Sequence, residues 1–113
     1  MTTIYHNPRC SKSRQCLAIL EEHKEDLNIV KYLDTPFTKE QLEQVIDLLK
    51  IKPIDLIRKN EAIWKEKFRN KDLSDTDLIA AMCEYPKLIE RPIVIKKNKA
   101  IIGRPPEKVI NIL

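Results

Sequence analysis

Apolar and polar positions follow a strand rhythm over residues 2–6 (TTIYH), which stops at Asn7-Pro8, a turn signal. From residue 11 to residue 23 the spacing becomes helical, and it predicts a helix with Leu17, Ile19 and Leu20 facing inward. Residues 28–33 (NIVKYL) read as a second strand, bounded by Asp34-Thr35-Pro36. The next four residues, Thr38-Lys39-Glu40-Gln41, have capping-box form: Thr38 can accept from the amide three residues on, and Gln41 can reach back. They open a predicted helix whose Leu42, Val45, Ile46 and Leu49 keep helical spacing. From Pro53 to Glu90 the pattern stays helical but is interrupted. It predicts short turns at IDLIRKN and EAIWKEKF, then a helix capped by Ser74 that carries Leu78, Ile79 and Met82. After Pro92 the rhythm returns to strand. IVI, a polar turn KKNK and AII predict a hairpin, and PEKVINIL predicts a closing helix with proline at its start.

The predicted order is strand, helix, strand, a helical insert, two hairpin strands and a final helix. The first strand–helix–strand unit should make a parallel, right-handed crossover. A four-stranded mixed sheet flanked by helices closes these elements most simply. That α/β arrangement resembles a thioredoxin-like plan with a helical insertion over about 53–90. No repeat, low-complexity tract or linker divides the chain, so a single domain over 1–113 is expected.

Composition narrows the class. With 42% hydrophobic residues the chain can build a core and does not read as disordered. The 21 basic against 17 acidic residues leave a net charge of +4, too small and too dispersed to argue for nucleic acid, yet compatible with a local anion site. No apolar run approaches a membrane span, and the N-terminus lacks the long apolar segment of a signal peptide. Three unpaired cysteines, at positions 10, 16 and 83, do not form a disulfide framework. The expectation is a soluble, reduced, cytoplasmic protein and a monomer.

The chemistry concentrates in HNPRCSKSR, residues 6–14, at the first strand-to-helix corner. A helix starting at Ser11 puts Cys10 at its N-terminus, where free amides and the helix dipole favour negative charge. His6, Arg9, Lys12 and Arg14 crowd the same segment. A thiol there should ionise below its ordinary pKa, and the thiolate is the nucleophile. The same amides and cations suit an oxyanion. The plain alternative is a small apolar residue at a corner, beside solvated helix charges. Cys16, among Leu17 and Leu20, reads as core filler, and Cys83 reads as inert. The segment lacks C-x-x-C, because Ser13 stands where a resolving thiol would be, so release of anything attached to Cys10 needs another thiol. No zinc-type spacing joins the histidines and cysteines, and no metal is expected. The C-x₅-R phosphate loop of phosphatases is also missing, since position 16 is cysteine.

Three later arginines have distinctive settings: Arg58 in LIRKN, Arg91 before Pro92, and Arg104 after the lone glycine in GRPPE. If they converged on the corner they would clamp a tetrahedral anion through forked hydrogen bonds. Taken singly, each reads as an ordinary surface arginine. Taken together, YHNPRCSKSR, LIRKN, LIERPIVI and IGRPPE, in this order and spacing, resemble the glutaredoxin-dependent arsenate reductase family across essentially the whole chain. The resemblance implies Cys10 as nucleophile, His6 favouring its thiolate, and Arg58, Arg91 and Arg104 holding the oxyanion. It also implies Pro92 in cis and a thioredoxin-like fold with a helical insertion. Ser11, Lys12, Ser13 and Arg14 would shape the anion loop. The implied reaction is reduction of arsenate to arsenite with glutathione as co-substrate and glutaredoxin as partner, without a bound cofactor. Two other readings fit the same fold. One is a regulator of the Spx type that docks on RNA polymerase, although its C-x-x-C switch is absent here. The other is a family member acting on a different oxyanion or on a glutathione mixed disulfide.

Overall fold

The computed structural model describes residues 1–113 and resolves into two compact units, residues 1–35 with 91–113, and residues 36–90. The second unit takes in the helix after Thr38 as well as the interrupted helices beyond Pro53.

The first unit holds the whole sheet. Strands β1 (Thr2–Tyr5), β2 (Leu27–Val30), β3 (Ile93–Lys96) and β4 (Lys99–Ile102) lie in the order β2-β1-β3-β4. β1 and β2 run parallel, with Thr2 opposite Leu27 and Tyr5 opposite Val30, and helix α1 (Ser11–Glu22) connects them. β3 pairs antiparallel with both β1 and β4. This is the expected mixed four-stranded sheet. β2 ends at Val30 rather than at residue 33, because the Lys31 carbonyl accepts from the amides of Asp34 (3.0 Å) and Thr35 (2.9 Å) and bends the chain into a turn. The hairpin is tighter than KKNK suggests: Lys96 and Lys99 pair across the ladder, which leaves Lys97-Asn98 as the turn. The closing segment Pro106–Ile112 is a 3₁₀ helix, in a stretch where proline and β-branched residues weaken α-helix propensity.

Ile4, Cys16, Leu20, Val94 and Val109 form the buried centre of this unit, with Leu17, Ile19, Leu27 and Ile101 packed around them. Ile4 and Val94 are ladder partners on β1 and β3, while Cys16 and Leu20 stand one helical turn apart on α1. Full burial of each such aliphatic side chain contributes about 1.5–3 kcal/mol. Gly103 sits where the chain after β4 passes closest to α1. A Cβ there would lie 2.9 Å from Cys16 Sγ and 3.0 Å from Pro92 Cγ, so only glycine fits without displacing one of them.

The second unit is helical. α2 (Lys39–Leu49) carries the predicted capping box: Gln41 N donates to Thr38 Oγ1 (3.1 Å), and Thr38 N donates to Gln41 Oε1 (3.0 Å). Its buried Leu42, Val45 and Ile46 pack toward α4 (Asp75–Glu84), whose Leu78, Ile79 and Met82 are also buried. Ser74 and Asp77 cap α4 in the same reciprocal way. Between them lie a 3₁₀ turn, Pro53–Leu56, and the short helix α3 (Ala62–Lys67). An antiparallel bridge between Ile57 and Ile89, unforeseen from spacing, ties the start of this stretch to its end.

Three lysines, Lys24, Lys50 and Lys97, adopt left-handed backbone with φ of 57°. Lys24 follows α1, Lys50 ends α2, and Lys97 opens the hairpin turn. No helix is long and apolar enough to cross a membrane.

Candidate active site

The corner between β1 and α1 is built by its own backbone. Cys10 N donates to the Asn7 carbonyl (3.0 Å), and the Cys10 carbonyl accepts from Arg14 N (3.0 Å), the first bond of the helix. Cys10 is therefore the N-cap residue of α1, with extended φ −95° and ψ 122°. A serine or aspartate at this position would accept from the amides two and three residues on. Here those amides belong to Lys12 and Ser13, and the sulfur takes the oxygen's place without a cap hydrogen bond of ordinary length. Cys10 is nearly buried, at 8% exposure.

Two opposing influences set its ionisation. Burial pushes the thiol up, but the Ser13 amide, the Arg91 guanidinium and the Lys12 amide together outweigh burial and hold it below the ordinary thiol value. Arg104 adds a contact, Nη2 to Cys10 Sγ at 3.6 Å, and its Nε donates to the Arg91 carbonyl at 2.7 Å. Arg91 Nε is buried without a hydrogen-bond partner. The Arg91–Pro92 peptide is cis, as is Arg104–Pro105, which the sequence did not single out.

His6 lies at the end of β1, buried to 5% exposure, with Nδ1 2.6 Å from Ser13 Oγ. The same hydroxyl accepts from Asn7 N at 3.0 Å. Burial, then Lys31, then Arg14 hold His6 below the usual imidazole value, so it is neutral at pH 7. A neutral imidazole brings no positive charge to the sulfur. Its direct partner is Ser13, whose amide does act on Cys10.

The remaining expected residues divide by what they touch. The Ser13 side chain is fully buried and turned toward His6 and Asn7, so it offers an anion its amide and not its hydroxyl. Ser11 and Lys12 are exposed in the first turn of α1. Arg14 Nη1 donates to the Pro8 carbonyl at 2.9 Å and braces the corner. Arg58 belongs to the second unit. Its backbone N donates to the Leu88 carbonyl (2.7 Å), its Nε lies 3.8 Å from Glu61 Oε1, and its buried Nη1 has no hydrogen-bond partner. Asn7 was not singled out by its chemistry, yet its carbonyl holds Cys10 and its Oδ1 accepts from Arg9 N (3.0 Å). The Asn-Pro turn signal was the only hint of it.

The other two thiols behave differently. Cys16 is fully buried, and burial pushes it up to about 11. Cys83 is half-buried and is raised by burial, Glu40 and Glu43. No group of three or more His, Cys, Asp and Glu is placed to hold a metal ion.

Cys10 thus stands at the start of α1 with the Arg91 and Arg104 guanidiniums beside its sulfur, and both the sequence and the fold that hold it there have known counterparts. The ArsC family model matches residues 5–112. A protein of Escherichia coli strain K12 named uncharacterized protein YfgD is 45% identical over 97% of this chain and 94% of its own. An arsenate reductase of Haemophilus influenzae is 43% identical over 97% of both chains. The solved structure of an arsenate reductase from Vibrio cholerae superposes with a TM-score of 0.94 at 45% identity, covering 99% of this chain and 97% of that one. The chain belongs to the ArsC family.

Proposed function

We propose that the protein is an arsenate reductase that uses Cys10 as nucleophile, with glutathione and glutaredoxin as thiol donors. The observation that carries this reading is a thiol held below its ordinary pKa at the start of α1, with Arg91 and Arg104 beside it. The Cys10 thiolate attacks arsenic(V) in a bound arsenate, forming a sulfur–arsenic bond and displacing one oxygen as water. Arg91, whose Nε has no protein partner, and Arg104 neutralise the anion and the charge that builds on its oxygens. Ser13 and Lys12 contribute their amides. His6 acts by fixing Ser13 and, through it, the amide that faces the sulfur.

With serine at position 13 the protein has no resolving thiol in this turn, so the electrons must come from outside. Glutathione adds to the arsenic and a second water leaves. The glutaredoxin thiolate then attacks the glutathione sulfur. That forms a mixed disulfide and passes two electrons to arsenic, which hydrolyses from Cys10 as arsenite. One arsenate and two thiols give one arsenite, one disulfide and one water. This chemistry suits a reduced, cytoplasmic setting and a monomer that meets its protein donor at the corner. The test is arsenite production from arsenate by purified protein, with glutathione and glutaredoxin supplied or withheld. Turnover that needs both is the expected result. No arsenite under any donor condition, together with tight capture of a different oxyanion, would reassign the substrate.

A further inference from the structure

A cavity of about 220 Å³ opens on the side of the corner facing the end of β2, lined by His6, Asn7, Pro8, Arg9, Lys31, Leu33 and Asp34. All of it belongs to the first unit. A water molecule's share of liquid is about 30 Å³, so the space equals roughly seven waters, enough for one amino-acid-sized group. Its charges are mixed and local. The turn in which Asp34 N and Thr35 N donate to the Lys31 carbonyl sets an ammonium and a carboxylate on one wall. Arg9 stands on the other wall, held by its amide on Asn7 Oδ1. None of Arg9, Lys31 and Asp34 makes an ion pair within the protein. His6 gives its Nδ1 to Ser13, which leaves Nε2 as the ring nitrogen free to meet a ligand.

We propose that this cavity is the subsite for the α-amino-acid end of the small thiol donor: Lys31 and Arg9 take the carboxylate, and Asp34 takes the ammonium. This rests on the reading of Cys10 as the arsenic-carrying nucleophile. Arg9 directly precedes Cys10, and consecutive Cα atoms are about 3.8 Å apart, so the cavity begins one residue from the reacting sulfur. A γ-glutamyl thiol bound by its zwitterionic end there has its cysteine one residue further along the ligand, as Cys10 is one residue further along the chain from Arg9. An oxyanion has no ammonium for Asp34, so this subsite is distinct in chemistry from the arginine clamp.

Binding is read first with S-methylglutathione, which cannot react, by following backbone amide shifts in the full protein. The expected shifts fall on residues 6–9 and 31–34, and Lys31→Ala and Asp34→Ala each weaken binding about tenfold. Both side chains are exposed, so neither change threatens the core. In turnover, Lys31→Ala raises KM for glutathione by a similar factor while KM for arsenate stays constant. γ-Glutamylcysteine retains the effect, whereas cysteinylglycine, which lacks the zwitterionic γ-glutamyl end, is a poor donor in the parent protein. Shifts confined to other residues, unchanged affinity in both variants, or equal use of cysteinylglycine would overturn the assignment. The binding measurement needs no arsenate. A chain that binds S-methylglutathione here but reduces nothing keeps the subsite and loses the reductase reading, and the reverse result loses the subsite alone.

Discussion

Helix α1 carries two cysteines six residues apart, and they lie at opposite ends of thiol chemistry. Cys10 is 8% exposed and Cys16 is not exposed at all, so both are largely removed from water. Burial raises both, yet Cys10 ends below its ordinary value and Cys16 rises to about 11. The difference lies in which backbone groups remain free. At Cys10 the amides of Lys12 and Ser13 have no preceding turn to bond to, and Arg91 adds a full charge. At Cys16 the helix has consumed every nearby amide, and the neighbours are Ile4, Leu20, Val94 and Val109. Position along a helix, more than depth, decides whether a buried sulfur is held below or above its ordinary pKa.

The largest test of that contrast exchanges each sulfur for oxygen or a methyl group. Cys10→Ser should abolish arsenate reduction while the protein keeps its melting temperature within a few degrees. Cys16→Ala should keep most activity and lose about 1–3 kcal/mol of stability in a denaturant titration, from the hole left between α1 and β3. Next in size is the charge at the corner. Arg91→Ala should lower kcat/KM for arsenate by about 10²-fold and move the alkylation midpoint of Cys10 to higher pH, whereas Lys97→Ala, in the hairpin turn, should leave both unchanged.

A third test follows pH. A thiol with a raised folded pKa stabilises the fold below its ordinary value and loses that contribution as pH climbs to the folded value. Unfolding free energy should therefore fall from about pH 9 to about pH 11 in the parent protein, and that fall should be smaller in Cys16→Ala, where only the raised Cys83 and Tyr5 still contribute to it. Iodoacetamide should label Cys10 below pH 9 and leave Cys16 untouched until the fold opens. The smallest effect probes the neighbour of Cys16. Gly103→Ala would set a methyl group 2.9 Å from Cys16 Sγ, costing about 1–3 kcal/mol, and Cys16→Ala in the same chain should recover part of it.

Much of this is legible in the sequence. The 2–6 strand, the helix from Ser11, the capping boxes at Thr38 and Ser74 and the final hairpin follow from periodicity and cap chemistry, both of which are local. Cys10 as cap was legible for the same reason. The shortened β2 was not, because the Lys31 turn competes for residues whose side chains favour a strand. The partners of the Ser13 hydroxyl were not legible either. Sequence places it one turn into an anion loop, but only the fold shows that it is spent on His6 and the Asn7 amide. The bridge between Ile57 and Ile89 joins segments 32 positions apart, and nothing in either segment announces its partner.

The chain's single glycine is committed to clearance beside Cys16, so the left-handed corners at Lys24, Lys50 and Lys97 are filled by a residue that resists that geometry by roughly 1–2 kcal/mol each. Those three corners form a reserve of unused thermal resistance. Asparagine or glycine introduced at Lys24 and Lys50 together should lift the melting temperature by a few degrees, with no change to any residue of the β1–α1 corner.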